Sequence, residues 1–102
     1  MPTPQQCLDR LRQVHKALAD RIVAEPSESK RATLTTALDR SQAVIDKIVA
    51  EGLHKRTRRI VSLTAELKDF TAELKELAIA LRAAKEALGS AGAVVDSVLK
   101  II

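Results

Sequence analysis

Apolar residues between positions 60 and 88 recur at alternating intervals of three and four. This spacing lines one face of a helix and is the heptad spacing of coiled coils. We therefore predict one long, coiled-coil-like third helix over residues 53–88, whose apolar face must pack against a partner to leave water. Its stripe consists of Ile60, Leu63, Leu67, Phe70, Leu74, Leu77, Leu81, Ala84 and Leu88.

The first predicted helix covers residues 4–24. Thr3 is a favourable N-cap, Pro4 suits the first helical position, and Gln6 can complete a capping box with Thr3. Because Pro26 disfavours helical geometry at the residue before it, the helix is expected to end near position 24.

The second predicted helix covers residues 28–51. Ser27 can cap its start, and Gly52 follows its end, where glycine readily adopts the left-handed geometry that closes many helices. A helix of about 25 residues spans about 37 Å, whereas the third would span about 54 Å. If the two helices pack antiparallel, the third helix lacks cover from about position 81 onwards.

The chain ends in a strongly apolar segment, residues 93–102, which predicts a short fourth helix after a glycine-containing break. This helix either turns back over the uncovered end of the third helix or presents an apolar surface to a partner. The residues predicted for such an apolar interface are Leu81, Ala84, Leu88, Val94, Val95, Val98, Leu99, Ile101 and Ile102.

Together these patterns predict an all-α fold. The expected architecture is an antiparallel helical bundle of three long helices plus a short C-terminal helix, in a single domain over residues 1–102. Abundant alanine and a single aromatic residue, Phe70, favour closely packed helices over a sheet. The long stripe fits either the core of one chain or a dimeric coiled coil, and small residues beside it, such as Ala78 and Ala80, favour the single-chain core.

The net charge of +4 is concentrated in one place. Outside that place, 13 basic residues balance the 13 acidic ones. Four cations in the first turns of the predicted third helix would repel one another and oppose the positive end of the helix dipole, so stability alone does not account for them. We name these residues the basic cluster: Lys55, Arg56, Arg58 and Arg59.

The basic cluster predicts an anionic partner, and several kinds remain open. An acidic protein, nucleic-acid phosphate or an anionic lipid surface would each be attracted, whereas the alternative is a solvated surface with Glu51 pairing to Lys55. Single-stranded nucleic acid is disfavoured because no aromatic side chain lies nearby for stacking. A helix-turn-helix fits poorly, since its recognition helix is short. The acidic residues off the stripe are interpreted as a solvated face: Glu66, Asp69, Glu73 and Glu76.

No residue pattern indicates chemistry. The chain has only three side chains that could bind a soft metal ion or act as a thiol or imidazole nucleophile: Cys7, His15 and His54. No two of them have the spacing of a helical metal site. We therefore predict no enzyme activity, metal, cofactor or small-molecule substrate. The single cysteine suits a reducing compartment, and the absence of a long apolar run or a cleavable leader predicts a cytoplasmic protein. Signal-independent export would leave no mark in the sequence.

The sequence as a whole favours a non-enzymatic helical interaction or assembly module that self-associates through the C-terminal apolar residues. One alternative is a nucleic-acid or anionic-surface binder that uses the basic cluster. A second alternative is a component of a secreted complex, or a membrane-interface protein, that uses the apolar C-terminal helix.

Overall fold

The computed structural model describes residues 1–102, and every regular element in it is helical. The prediction of an all-α chain is confirmed. Five α-helices follow one another: α1 (Pro4–Ala24), α2 (Glu28–Ala50), α3 (Leu63–Glu66), α4 (Thr71–Leu88) and α5 (Ala93–Leu99). Three short 3-10 turns lie between them, at Leu53–Lys55, Lys68–Phe70 and Gly89–Gly92.

The starts of α1 and α2 form as their capping residues predict. The Thr3 hydroxyl accepts a hydrogen bond from the Gln6 backbone N–H at 3.3 Å, and the Gln6 side chain accepts one from the Thr3 N–H at 2.9 Å. Ser27 caps α2 by accepting from the N–H of Lys30. These bonds satisfy backbone donors that have no partner inside the helix.

The turn between α1 and α2 is built around a buried carboxylate. Glu25 accepts hydrogen bonds from the Ser27 backbone N–H at 3.1 Å and from the Arg21 guanidinium at 2.8 Å. The hydrogen bond from the Ser27 N–H has the largest effect on the pKa of Glu25. Together with the bond from Arg21 it holds this pKa below its usual value, although burial raises it. Arg31 donates to the Glu25 carbonyl oxygen at 2.8 Å, so the turn is tied to both helices.

Helix α2 packs against α1 on one side and α4 on the other, and α5 packs against α1 and α4. Two ion pairs show that α2 and α4 run antiparallel. Lys47, near the end of α2, lies 2.7 Å from Asp69, just before α4. Arg40, which comes earlier in α2, lies 3.2 Å from Glu76, which comes later in the chain than Asp69. No helix combines the length and hydropathy needed to cross a bilayer.

The C-terminal segment returns onto α4, because Gly92 permits a close approach. A Cβ atom at position 92 would lie 2.9 Å from the carbonyl oxygen of Lys85, which is too close for any residue but glycine. The Lys85 ammonium also lies 2.8 Å from the Asp96 carboxylate in α5. The turn therefore directs α5 back over the end of α4.

The prediction of one continuous third helix over residues 53–88 is wrong. Gly52 ends α2 in left-handed geometry, with φ 65°, as expected. After the turn Leu53–Lys55, residues 56–62 form no helix, and we call them the linking segment. A second break falls at Leu67, with φ −109° and ψ 60°, and a long helix begins only at Thr71.

Charge and capping account for the first break. A helix through the basic cluster would hold four cations within about two turns, next to the positive end of its own dipole. Ser62 offers an alternative start, because its hydroxyl accepts the Ala65 N–H at 3.1 Å. Helical structure therefore resumes after the cations instead of running through them.

The apolar residues around the linking segment are buried even though they do not share one helix. Ile60, Leu63 and Leu67 are 1%, 0% and 3% exposed and belong to the main core. Two backbone hydrogen bonds fix the chain there: the Ile60 N–H donates to the Pro2 carbonyl at 2.9 Å, and the Leu63 N–H donates to the Ile101 carbonyl at 2.7 Å. The linking segment is thus tied to both ends of the chain.

A proline substitution distinguishes the linking segment from a continuous helix. The Thr57 N–H donates to no acceptor in the chain, and Arg56 before it is extended, with φ −77° and ψ 139°, which suits a following proline. We expect Thr57→Pro to change the free energy of unfolding by less than about 1 kcal/mol in urea denaturation. The control Ala43→Pro, inside α2, should lose about 3 kcal/mol or more. Comparable losses in both variants would contradict the break.

Candidate anion-binding surface

The linking segment, together with Lys55 just before it, presents the basic cluster on a backbone that is fixed at both ends. The side chains of Lys55, Arg56, Arg58 and Arg59 are all exposed. At the start of the segment the Arg56 N–H donates to the Leu53 carbonyl at 3.0 Å, and at its end Ile60 is anchored in the core. The prediction that these cations lie in the first turns of a helix is wrong, although the cluster itself is exposed.

Two of the four cations share one carboxylate. Arg58 forms a hydrogen-bonded ion pair with Glu66 of α3, and Arg56 lies 3.6 Å from the same carboxylate oxygen. The Glu66 side chain is only 10% exposed. Its interpretation as part of a solvated acidic face is therefore wrong, because the chain bends at the linking segment and brings α3 back to the arginines.

The other two cations differ in their roles. Arg59 donates to the carbonyl of Met1 at 3.2 Å and to the Gln6 side chain at 3.1 Å, so it holds the N-terminal residues in place. Lys55 forms no ion pair within the chain, since Glu51 pairs with Lys47 at 2.9 Å instead. Glu66 is thus the only carboxylate that pairs with a cation of the basic cluster, and the surface keeps a local excess of positive charge.

The backbone of the linking segment adds further donors. Among its N–H groups, only those of Arg56 and Ile60 donate to an acceptor in the chain. The N–H groups of Thr57, Arg58, Arg59, Val61 and Ser62 have no acceptor within the chain. Free N–H groups beside guanidinium groups are the donors that carboxylates and other oxyanions prefer.

The cation nearest to the only aromatic ring is already engaged. Lys47 lies 2.7 Å from Asp69, 2.9 Å from Glu51 and 5.5 Å from the centre of the Phe70 ring. The hydrogen bond from Lys47 to Asp69, followed in effect by the one to Glu51, raises the pKa of Lys47. The bond between Lys47 and Asp69 also lowers the pKa of Asp69. Lys47 therefore joins α2 to the start of α4.

The residues predicted for a C-terminal apolar interface are used within the chain. The core buries Leu81, Ala84, Leu88, Val95, Val98 and Ile101, and it partly covers Val94, Leu99 and Ile102. In this structure α5 covers the end of α4, the first of the two arrangements that the sequence allows. These side chains leave little apolar surface for a second protein or a lipid.

Reactive side chains are few and scattered. Burial raises the pKa of the Cys7 thiol, although Arg10 opposes this, so the thiol is protonated and weakly nucleophilic at neutral pH. His54, next to the basic cluster, has a buried Nδ1 atom without a hydrogen-bond partner. No group of three or more His, Cys, Asp or Glu side chains lies close enough together to hold a metal ion.

Comparison with known proteins does not assign this surface. No protein-family model matches the chain, and no significant match was found among curated proteins or solved structures. We therefore infer a function from the geometry of the surface.

Removing the shared carboxylate tests how strongly Glu66 neutralises the surface. Glu66→Gln leaves Arg56 and Arg58 without a counter-charge, so the protein should elute from a sulfonate cation exchanger at higher salt. Asp20→Asn is the control, because it changes the net charge equally at an exposed site on α1. We expect the larger shift for Glu66→Gln, since the charge that it removes lies within the basic cluster. Equal shifts in both variants would show that Glu66 does not neutralise the cluster.

Proposed function

We propose that this chain is a non-enzymatic interaction module whose basic cluster binds an acidic segment of another protein. In this proposal an antiparallel helical bundle serves as a rigid scaffold for the linking segment. The observation that carries the proposal is that Arg56 and Arg58 are exposed on the non-helical linking segment, directly after Lys55, and share a single carboxylate, that of Glu66. A fixed backbone reduces the entropy lost on binding.

The linking segment suits an extended acidic peptide. Arg56 and Arg58 are two positions apart and both reach Glu66, so they lie on one side of the backbone. In an extended peptide, side chains two residues apart share a side and lie about 6.6 Å from one another. Alternating carboxylates can then face the two guanidinium groups, while peptide carbonyl groups accept from the free N–H groups of the linking segment. Val61, which is 72% exposed, offers an apolar contact beside them.

A protein ligand is favoured over nucleic acid by what surrounds the cluster. Single-stranded nucleic acid gains much of its affinity from stacking on aromatic rings. The only aromatic ring, Phe70, is half-buried beneath Lys47, and no ring lies in the linking segment. Double-stranded nucleic acid is usually read by a helix in the major groove, and the linking segment is not helical. Nucleic acid remains the second candidate because the phosphate backbone attracts any dense cation cluster.

Fluorescence anisotropy with a labelled acidic peptide tests the proposal. The probe is a peptide of about twelve residues that alternates Glu with Val or Thr, so that extended carboxylates share one side. We expect binding that weakens as salt screens the charges, and a loss of at least about tenfold in affinity in the variant Lys55→Ala/Arg56→Ala/Arg58→Ala. Arg59 is left intact because it holds the N-terminal residues.

The matched control is Lys16→Ala/Lys75→Ala/Arg82→Ala, which removes the same charge from exposed helix positions outside the cluster. It should keep the affinity of the unmodified protein. Equal losses in both triple variants would contradict a specific site. A thymidine oligonucleotide of equal charge is the competing ligand, and tighter binding of that oligonucleotide than of the peptide would favour the second candidate.

A further inference from the structure

An open groove lies between α2 and α4, and no residue of the linking segment lines it. Its floor and sides are formed by small residues, chiefly Thr33 and Thr36 of α2 and Ala80 and Ala83 of α4. Ile79 stands beside it with 66% of its surface exposed. Ile79 is the only large apolar side chain of α4 that is exposed. Packing in the core therefore does not explain why an apolar residue stands at this position.

Charges border this groove at two levels in the same order. At one level Arg40 of α2 lies 3.2 Å from Glu76 of α4. The second level is about 15 Å away, ten residues earlier in α2 and ten residues later in α4. There Lys30 of α2 and Glu86 of α4 border the same groove and form no ion pair. At both levels α2 supplies the cation and α4 supplies the carboxylate.

We propose that this groove is the interface of a symmetric dimer, and that its occupant is the same face of a second copy of the chain. A two-fold axis along the groove places each α2 over the α4 of its partner at the same level. Arg40 then faces the partner's Glu76, and Lys30 faces the partner's Glu86. Every cation of the rim meets a carboxylate, so the charge pattern is complementary to itself.

The apolar residues fit the same arrangement. In that register Ile79 lies opposite the partner's Thr33 and Thr36, where small side chains leave room for it. Ala80 and Ala83 let the helices approach closely, because helix separation depends on the side chains at the contact. Two copies of Ile79, one from each chain, would be buried together between four helices. This surface is independent of the basic cluster and leaves the linking segment accessible.

Sedimentation equilibrium between about 10 and 500 µM tests the dimer. We expect a monomer–dimer equilibrium, and Ile79→Lys should weaken it by at least about tenfold. Val61→Lys is the control, because it adds the same charge at an equally exposed apolar residue of the linking segment, and it should dimerise normally. A protein that stays monomeric would leave the groove to a foreign helix and overturn the proposal, as would a dimer insensitive to Ile79→Lys.

Charge reversal tests the register. Arg40→Glu and Glu76→Arg should each weaken dimerisation, because like charges then face one another across the interface. An equimolar mixture of the two variants should dimerise again, since each reversed charge meets its opposite on the other chain. The ion pair within each chain stays broken in this mixture, so recovery reports contacts between chains only. A mixture that remains monomeric would overturn the proposed register.

Discussion

The burial of Ile60 and Leu63 is the constraint on which the rest of the structure depends. Both side chains lie in the main core, and their backbone N–H groups bind the carbonyl groups of Pro2 and Ile101. One short stretch therefore joins the start, the middle and the end of the chain. It fixes the positions in space of the start of α1, the end of α5 and the basic cluster. Fully burying an aliphatic side chain contributes roughly 1.5–3 kcal/mol, which offsets the lack of helical hydrogen bonds in the linking segment.

Local signals in the sequence predict the helix ends well because they act over only a few residues. The capping box of Thr3 and Gln6, the cap at Ser27 and the left-handed Gly52 all form as predicted. The heptad spacing is less decisive, because it reports which residues are buried and not how the backbone between them is folded. Leu74 to Leu88 do line one helix, whereas Ile60, Leu63 and Leu67 reach the same core from a bent chain. Repulsion among the four cations favoured a break, but the sequence alone did not reveal that Ser62 would restart the helix.

The two proposed surfaces differ in how far the sequence predicts them. Charge density alone identifies the basic cluster, but its division into roles depends on contacts between distant residues. Glu66 pairs with two arginines, and Arg59 instead binds the carbonyl of Met1, 58 residues away. The groove between α2 and α4 needs the register of two helices, which no local pattern gives. Ile79 in the sequence is simply an apolar residue off the main stripe.

The core holds the backbone of the linking segment at Ile60, while the cations of the segment stay exposed and most of its N–H groups bind no acceptor in the chain. Amide hydrogen exchange measured by NMR tests this most directly, because it reports each N–H separately. We predict slow exchange for Ile60 and Leu63 and fast exchange for Thr57, Arg58, Arg59 and Val61. Slow exchange at all consecutive residues from 57 to 63 would indicate a continuous helix and contradict the account.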